Sequence, residues 1–310
     1  MLLKENEMKI PISTRIFDIL TCSYCGHDLD QTENGADCPG CGLKYRYTDS
    51  GSLDLRLQKS KKCTIEFELG TPLLPEEGFQ FNPLTLNPHP ELELSSLGQI
   101  WHLTELTKSY FPKAKSPGSL ALDLGCGNAT HRAICELAGF EYVGLDYVVP
   151  EAPILGDAHS LPFKSESFDF IVSLAVLEHL RYPFVAMSEA YRVLKPGGKF
   201  LGTVAFLEPF HDDSYYHHTY LGTYNSLKTS GFTIEKIAPS ETWPGLKAQA
   251  LMALFPKMPK LISLALVYPP LLVSKLWWQV GRLMKPNSDK HERIRKTTGA
   301  FTFIVSKDAI

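Results

Sequence analysis

The sequence has no excess of charge of either sign: 31 Lys and Arg stand against 34 Asp and Glu, a net charge of −3. That excludes a molecule-wide basic field of the kind that gathers nucleic acid, and leaves only a local patch for such contacts. An N-terminal apolar run is also missing, since MLLKENEMKIPIS has no stretch like the roughly 7–15 apolar residues of a secretory leader. Nowhere does an uninterrupted apolar run reach the roughly 18 residues of a membrane span. A cytoplasmic protein is expected. Disorder is excluded too, because 44% of residues are apolar and only 21% charged. The 310 residues suffice for about two domains.

Cysteine is scarce and unevenly placed. Of seven, Cys63, Cys126 and Cys135 are scattered, whereas Cys22, Cys25, Cys38 and Cys41 form two C-x-x-C pairs. In a chain without a leader such pairs read as metal ligands before disulfides. Each pair can turn two sulfurs onto one ion, and Gly26 and Gly42 just beyond each pair relieve the tight turn. Four thiolates close a tetrahedral Zn²⁺ site and leave no open position, so the expected role of the zinc is structural. The stretch Cys22–Leu57, with Leu43-Lys44-Tyr45-Arg46-Tyr47 and Asp49-Ser50-Gly51-Ser52-Leu53 after the second pair, resembles the zinc ribbon found as a small partner or N-terminal module of methyltransferases.

Composition divides the rest. Residues 1–58 hold the cysteine pairs, and residues 59–93, with five prolines from Pro72 to Pro90, read as an irregular linker. An amphipathic helix is predicted over 94–111, and short apolar runs then alternate with helical stretches. Strands are expected at 119–124, 141–145, 168–173, 199–204, 232–237 and 300–306. Helices are expected at 128–139, 182–194 and 219–230, and the alternation argues for βαβ units and a mostly parallel sheet.

The most informative stretch is Ala121-Leu122-Asp123-Leu124-Gly125-Cys126-Gly127-Asn128-Ala129. A buried strand runs into a Gly-x-Gly turn, and small residues there let the backbone approach a ligand. The dinucleotide fingerprint is incomplete, because Thr130 stands where a third glycine belongs. Asp146 ends the next strand, where a carboxylate can accept from ribose hydroxyls, and Asp157-Ala158 follows a third short strand. Then come Leu177-Glu178-His179-Leu180 and Arg192-Val193-Leu194-Lys195-Pro196-Gly197-Gly198.

This run resembles the class I S-adenosylmethionine-dependent methyltransferases over about 119–237 and again at the last strand. The resemblance implies a Rossmann-like α/β fold, a seven-stranded sheet whose last strand is antiparallel, over 94–310. It also implies that Asp123, Gly125 and Gly127 line the methionine end of S-adenosylmethionine, that Asp146 binds the ribose, and that Asp157 and Ala158 flank the adenine. Ala129 departs from the family's usual third glycine in the loop.

Beyond the fifth strand, Glu208–Tyr220 packs three histidines and three tyrosines into a loop at the ligand-binding edge of such a sheet. His217 and His211 are the candidate bases or acceptor contacts, Tyr216 an orienting group, and His179 a further candidate. Bound divalent metal is an alternative reading of the His-Asp cluster at 211–218. An apolar insertion at about 241–296 carries Trp243, Trp277 and Trp278, with interleaved lysines and no acidic residue from 242 to 285. It reads as a lid packed on the sheet, with peripheral contact to anionic lipid at the inner membrane face as the alternative.

The expected function is methyl transfer to a small-molecule or lipid-linked acceptor. An RNA methyltransferase is a rival, but residues 22–58 carry only Lys44, Arg46 and Arg56 against six acidic residues, no footprint for phosphates. A non-catalytic cofactor-binding interaction protein is the other.

Overall fold

The computed structural model describes residues 12–67, 75, 79–93, 98–285 and 288–309. Its centre is a parallel sheet: β5 (Leu120–Leu124), β6 (Glu141–Asp146), β7 (Ile154–Leu155), β8 (Phe168–Leu174) and β9 (Leu194–Ala205), in the order β7-β6-β5-β8-β9. β11 (Ala300–Ser306) lies antiparallel between β9 and β10 (Thr233–Pro239). The result is the expected seven-stranded sheet, mostly parallel, with its last strand reversed. β5 is buried along its whole length, as a strand covered on both faces must be.

The predicted strands fall within a few residues of the observed ones, but two helices do not. Only Glu105–Lys108 (α2) is helical among the described residues of the segment 94–111. Leu94 and Leu97 of that prediction lie outside the described residues, while the backbone of Ile100 bridges that of Leu103 in a tight turn. The helix predicted over 128–139 spans only Arg132–Leu137 (α3). Ala129 explains the delay: its φ of 56° is left-handed and cannot belong to a right-handed helix. The predictions 182–194 and 219–230 are matched by Pro183–Val193 (α4) and Tyr220–Thr229 (α5).

The cysteine region, preceded by a one-turn helix α1 (Thr14–Asp18), folds as β1 (Asp30–Thr32), β2 (Gly35–Asp37), β3 (Lys44–Tyr47) and β4 (Leu53–Asp54). Its last strand pairs in parallel with β7, so the ribbon extends the main sheet to eleven strands. Leu53 and Leu55 donate to the carbonyls of Pro153 and Leu155, and Ser160 Oγ donates to the carbonyl of Ser23. Tyr45, Leu53 and Leu55 are fully buried in the same apolar cluster as Leu145, Ile154 and Phe163. Each such side chain stabilises the junction by about 1.5–3 kcal/mol.

The insertion between β10 and β11 behaves differently. After α6 (Gly245–Gln249) and a π-helical turn at Ala250–Leu254, a 25-residue helix, α7 (Lys260–Met284), runs through Pro269 and Pro270. Only Ser263 and Val267 of α7 are buried. It is not the packed lid expected from the sequence, because its apolar side chains leave the protein on nearly every side. By length and composition α7 could cross a membrane, which no uninterrupted apolar run in the sequence indicated. A short α8 (Glu292–Thr297) leads into β11.

Candidate active site and metal centre

In the ribbon, the Sγ atoms of Cys22 and Cys41 lie 3.6 Å apart, those of Cys25 and Cys38 3.4 Å, and those of Cys38 and Cys41 3.6 Å. Four sulfurs at the usual Zn–S distance form a tetrahedron with edges of about 3.8 Å. The four thiols therefore fit a structural zinc, as the spacing predicts. Behind them the buried Tyr45 hydroxyl contacts Cys22 Sγ at 3.0 Å and Ser23 Oγ at 3.1 Å, which orients the first knuckle.

The second site lies along the C-terminal edge of the parallel strands. β5 is followed by β6 on one side and flanked by β8 on the other, so the chain reverses direction across the sheet at β5/β8. Ligands of open α/β sheets bind in the crevice at such a point. Gly125 turns there with a φ of 76°, and a Cβ on it would come within 2.4 Å of the Val176 side chain after β8. Only glycine allows that approach. Gly127, with a φ of 50°, faces open space, as a ligand cradle requires.

Asp146 holds this loop. Its Oδ2 accepts from the Gly127 amide at 2.9 Å, and its Oδ1 from Val148 and Val149 at 2.9 and 3.0 Å. A carboxylate has about four acceptor positions, so one remains on Oδ2 for a ribose hydroxyl. Asp157 Oδ1 accepts from the amide and Nδ1 of His159 at 2.9 and 2.6 Å. Burial raises the Asp157 carboxyl, but the hydrogen bonds from His159 outweigh it and hold the group below its ordinary value. Ala158 is buried beside it.

Asp123, expected at the methionine end, lies one residue inside the end of β5 and already has protein partners. Its carboxylate is fully buried, accepts from the Tyr142 hydroxyl at 2.8 Å, and lies 3.2 Å from His131 Nδ1. His131 Nε2 reaches the Trp101 carbonyl at 3.2 Å. Burial lowers the His131 imidazole, but the bond to Asp123 more than restores it, and the ring is held above its usual value. Neither His131 nor Tyr142 was singled out in the sequence. An acidic residue inside an apolar strand is the signal that required partners for it.

The acceptor side is built from two segments. A single turn, Leu177–His179, follows β8, and the loop 206–219 follows β9. The amides of Tyr215 and Tyr216 donate to the Glu178 carbonyl at 2.6 and 3.1 Å, which lays the loop over the turn. His211 stacks edge-on to His179, with ring centroids 5.3 Å apart, and lies 6.1 Å from His217. The structure thus brings together three of the predicted candidates. His217 and Tyr216 are exposed and line an apolar cleft of about 470 Å³ with Phe67, Tyr182 and Phe184.

The residue missed in the sequence is Glu178. It is buried, burial pushes its carboxyl up to about 7, and neither side-chain oxygen has a hydrogen-bond partner among the described residues. Burial also lowers the His179 imidazole and raises the Glu208 carboxyl, whose Oε1 accepts from Trp243 Nε1 at 2.6 Å. A Glu-His pair directly after a buried strand was the available signal.

Residues 122–202 match the methyltransferase domain family. The chain carries a methyltransferase domain. A demethylmenaquinone methyltransferase of Streptomyces avermitilis is 34% identical over 120 residues, covering 34% of this chain and 50% of its own. The human protein called probable tRNA methyltransferase 9B is 33% identical over 103 residues, covering 29% of this chain and 22% of its own. This chain therefore spans half or less of the length of these two relatives. Among solved structures, a phosphoethanolamine N-methyltransferase 2 of Haemonchus contortus in complex with S-adenosylmethionine aligns with a TM-score of 0.41 and 19% identity, over 63% of this chain and 50% of its own. For the methyltransferase domain the cofactor is S-adenosylmethionine; Gly125 and Gly127 follow β5, Asp146 ends β6, and Asp157 and Ala158 follow β7, so all five lie at the C-terminal edge of neighbouring parallel strands. That cofactor supplies a methyl group on a sulfonium.

Proposed function

We propose that the protein transfers the methyl group of S-adenosylmethionine to a small-molecule or lipid-linked acceptor at an anionic membrane surface. The acceptor's lone pair forms the new bond to the methyl carbon while the S–C bond breaks, its electron pair staying on sulfur as S-adenosylhomocysteine. Most of the acceleration comes from holding the acceptor in line with that carbon, which a cleft opening beside the loop 206–219 can do. His217, His211 or His179 would take a proton from a hydroxyl or ammonium acceptor, with Tyr216 orienting it.

The observation that carries the membrane reading is α7. Leu261, Tyr268, Val273, Trp277 and Leu283 are 65–82% exposed on it. Lys257, Lys260, Lys275, Arg282 and Lys285 run along the same segment, with no acidic residue from 242 to 285. Apolar and basic groups in one surface helix complement anionic lipid. The insertion also starts at the acceptor side, since Gly245 packs against Leu207 and Trp243 bonds Glu208.

Sedimentation with phosphatidylglycerol-containing vesicles, followed by methyl-transfer assays with and without them, tests this reading. Binding that fails in neutral vesicles, with vesicle-stimulated turnover, supports it. Salt-sensitive RNA binding without lipid binding would replace it with the RNA reading. Tight cofactor binding without transfer to any acceptor would replace it with the interaction-protein reading.

A further inference from the structure

Glu178, His179 and His211 present one carboxylate oxygen and two imidazole nitrogens within 4.8 Å of one another. They come from two segments tied together by the main chain, through the amides of Tyr215 and Tyr216 on the Glu178 carbonyl. The cluster is therefore held by the fold and not by the side chains themselves. Glu178 is 1% exposed, and neither of its side-chain oxygens has a hydrogen-bond partner among the described residues. Buried carboxylates are paired, hydrogen-bonded or metal-bound as a rule, and a bound cation would supply the partner that the described residues do not. His211 Nδ1 lies 2.9 Å from the Pro209 carbonyl, which places the ring proton on Nδ1 and leaves the Nε2 lone pair available. Metal-ligating histidines are commonly oriented by such an outer bond. Glu208 Oε2, 3.9 Å from His211 Nε2, adds a second acidic group to the same neighbourhood.

We infer that Glu178, His179 and His211 bind a divalent transition-metal ion at the acceptor end of the site. Two imidazoles and one carboxylate suit Mn²⁺, Fe²⁺ or Zn²⁺, and three protein ligands leave coordination positions open. This is the opposite of the ribbon, whose four thiolates close the sphere. An open position takes an oxygen of the acceptor and lowers the pKa of a hydroxyl bound there. The acceptor class this implies is a hydroxyl compound. With His179 and His211 on the ion, His217 is the one of the three candidate bases left to take the O–H proton; the oxygen forms the bond to the methyl carbon, and the S–C bond breaks with its pair on sulfur. That role rests on the methyl-transfer reading above; binding of the ion does not.

The test is titration of the zinc-loaded full-length protein with Mn²⁺, read as loss of the free-ion paramagnetic resonance signal. The expected result is one Mn²⁺ per chain beyond the ribbon zinc, weakened at least tenfold in Glu178→Gln and in His211→Ala. Melting curves separate ligation from damage. Wild type should gain thermal stability with Mn²⁺, whereas Glu178→Gln should melt no lower than metal-free wild type and ignore the ion. Absence of Mn²⁺ binding, or equal binding by wild type and both variants, overturns the inference. S-adenosylmethionine titrated into the same samples keeps the two readings apart: binding of cofactor without Mn²⁺ removes only the metal site, and Mn²⁺ without cofactor removes only methyl transfer.

Discussion

Two additions flank the same sheet and treat their apolar residues in opposite ways. The ribbon buries Tyr45, Leu53 and Leu55 against the β7 edge and joins the ladder through β4. α7 buries little beyond Ser263 and Val267, while Leu261, Trp277 and Leu283 stay exposed. Both segments are rich enough in apolar residues to look like packing elements. The difference teaches that the ribbon is bound into the fold, whereas α7 leaves most of its apolar surface exposed among the described residues.

The largest effect expected from this contrast is loss of the ribbon metal. Cys38→Ser should abolish stoichiometric zinc, with on the order of 10 kcal/mol of apparent binding energy at stake. Elemental analysis and limited proteolysis of the ribbon check it, and unchanged zinc content would remove the structural-zinc reading. Next, Leu53→Ala should destabilise the protein by about 2–5 kcal/mol as a buried truncation, whereas Leu276→Ala on α7 should cost under about 0.5 kcal/mol. Chemical denaturation of both variants would break the comparison if the two costs were alike.

A third prediction concerns the loop at the middle of the sheet, equidistant in logic from both additions. Asp146→Asn keeps the shape but turns an amide toward the Gly127 N–H, so cofactor affinity should fall at least tenfold, about 1.4 kcal/mol. Isothermal titration with S-adenosylmethionine and S-adenosylhomocysteine reads this, and unaltered affinity would displace Asp146 from the site. Smaller still is the Asp157–His159 pair. Because the native carboxyl is held below its ordinary 3.8, its contribution is full above that pH and is lost as pH falls through the lowered native value. Asp157→Asn should therefore cost about 1 kcal/mol at pH 7 and nothing in strong acid, as paired denaturation curves would show. The smallest is Ala129→Gly, which removes a left-handed alanine and should stabilise by about 0.5 kcal/mol, net of the added chain entropy.

The strands were legible because their apolar runs are short and bounded by turn formers, and β5, β8 and β11 are buried almost throughout. The four ribbon cysteines were legible because metal geometry constrains their spacing locally. Helix starts were less so: α3 begins four residues late because Ala129 adopts a backbone angle that no composition pattern reveals. Glu178 was hidden for a different reason. His179 follows it directly in sequence, but His211, the histidine that completes the cluster, arrives from a loop some thirty residues on.

By itself, then, the sequence determined the order of strands and helices, the four thiolates and the glycine loop, all of which are local patterns of residue type. Tertiary structure alone decided that the ribbon continues the main sheet, that Asp123 turns inward to Tyr142 and His131, that α7 stays unburied, and that Glu178, His179 and His211 meet. Those outcomes depend on which surfaces the chain brings together: the residues beside a buried polar group can signal that it needs a partner, but not which distant residue supplies it.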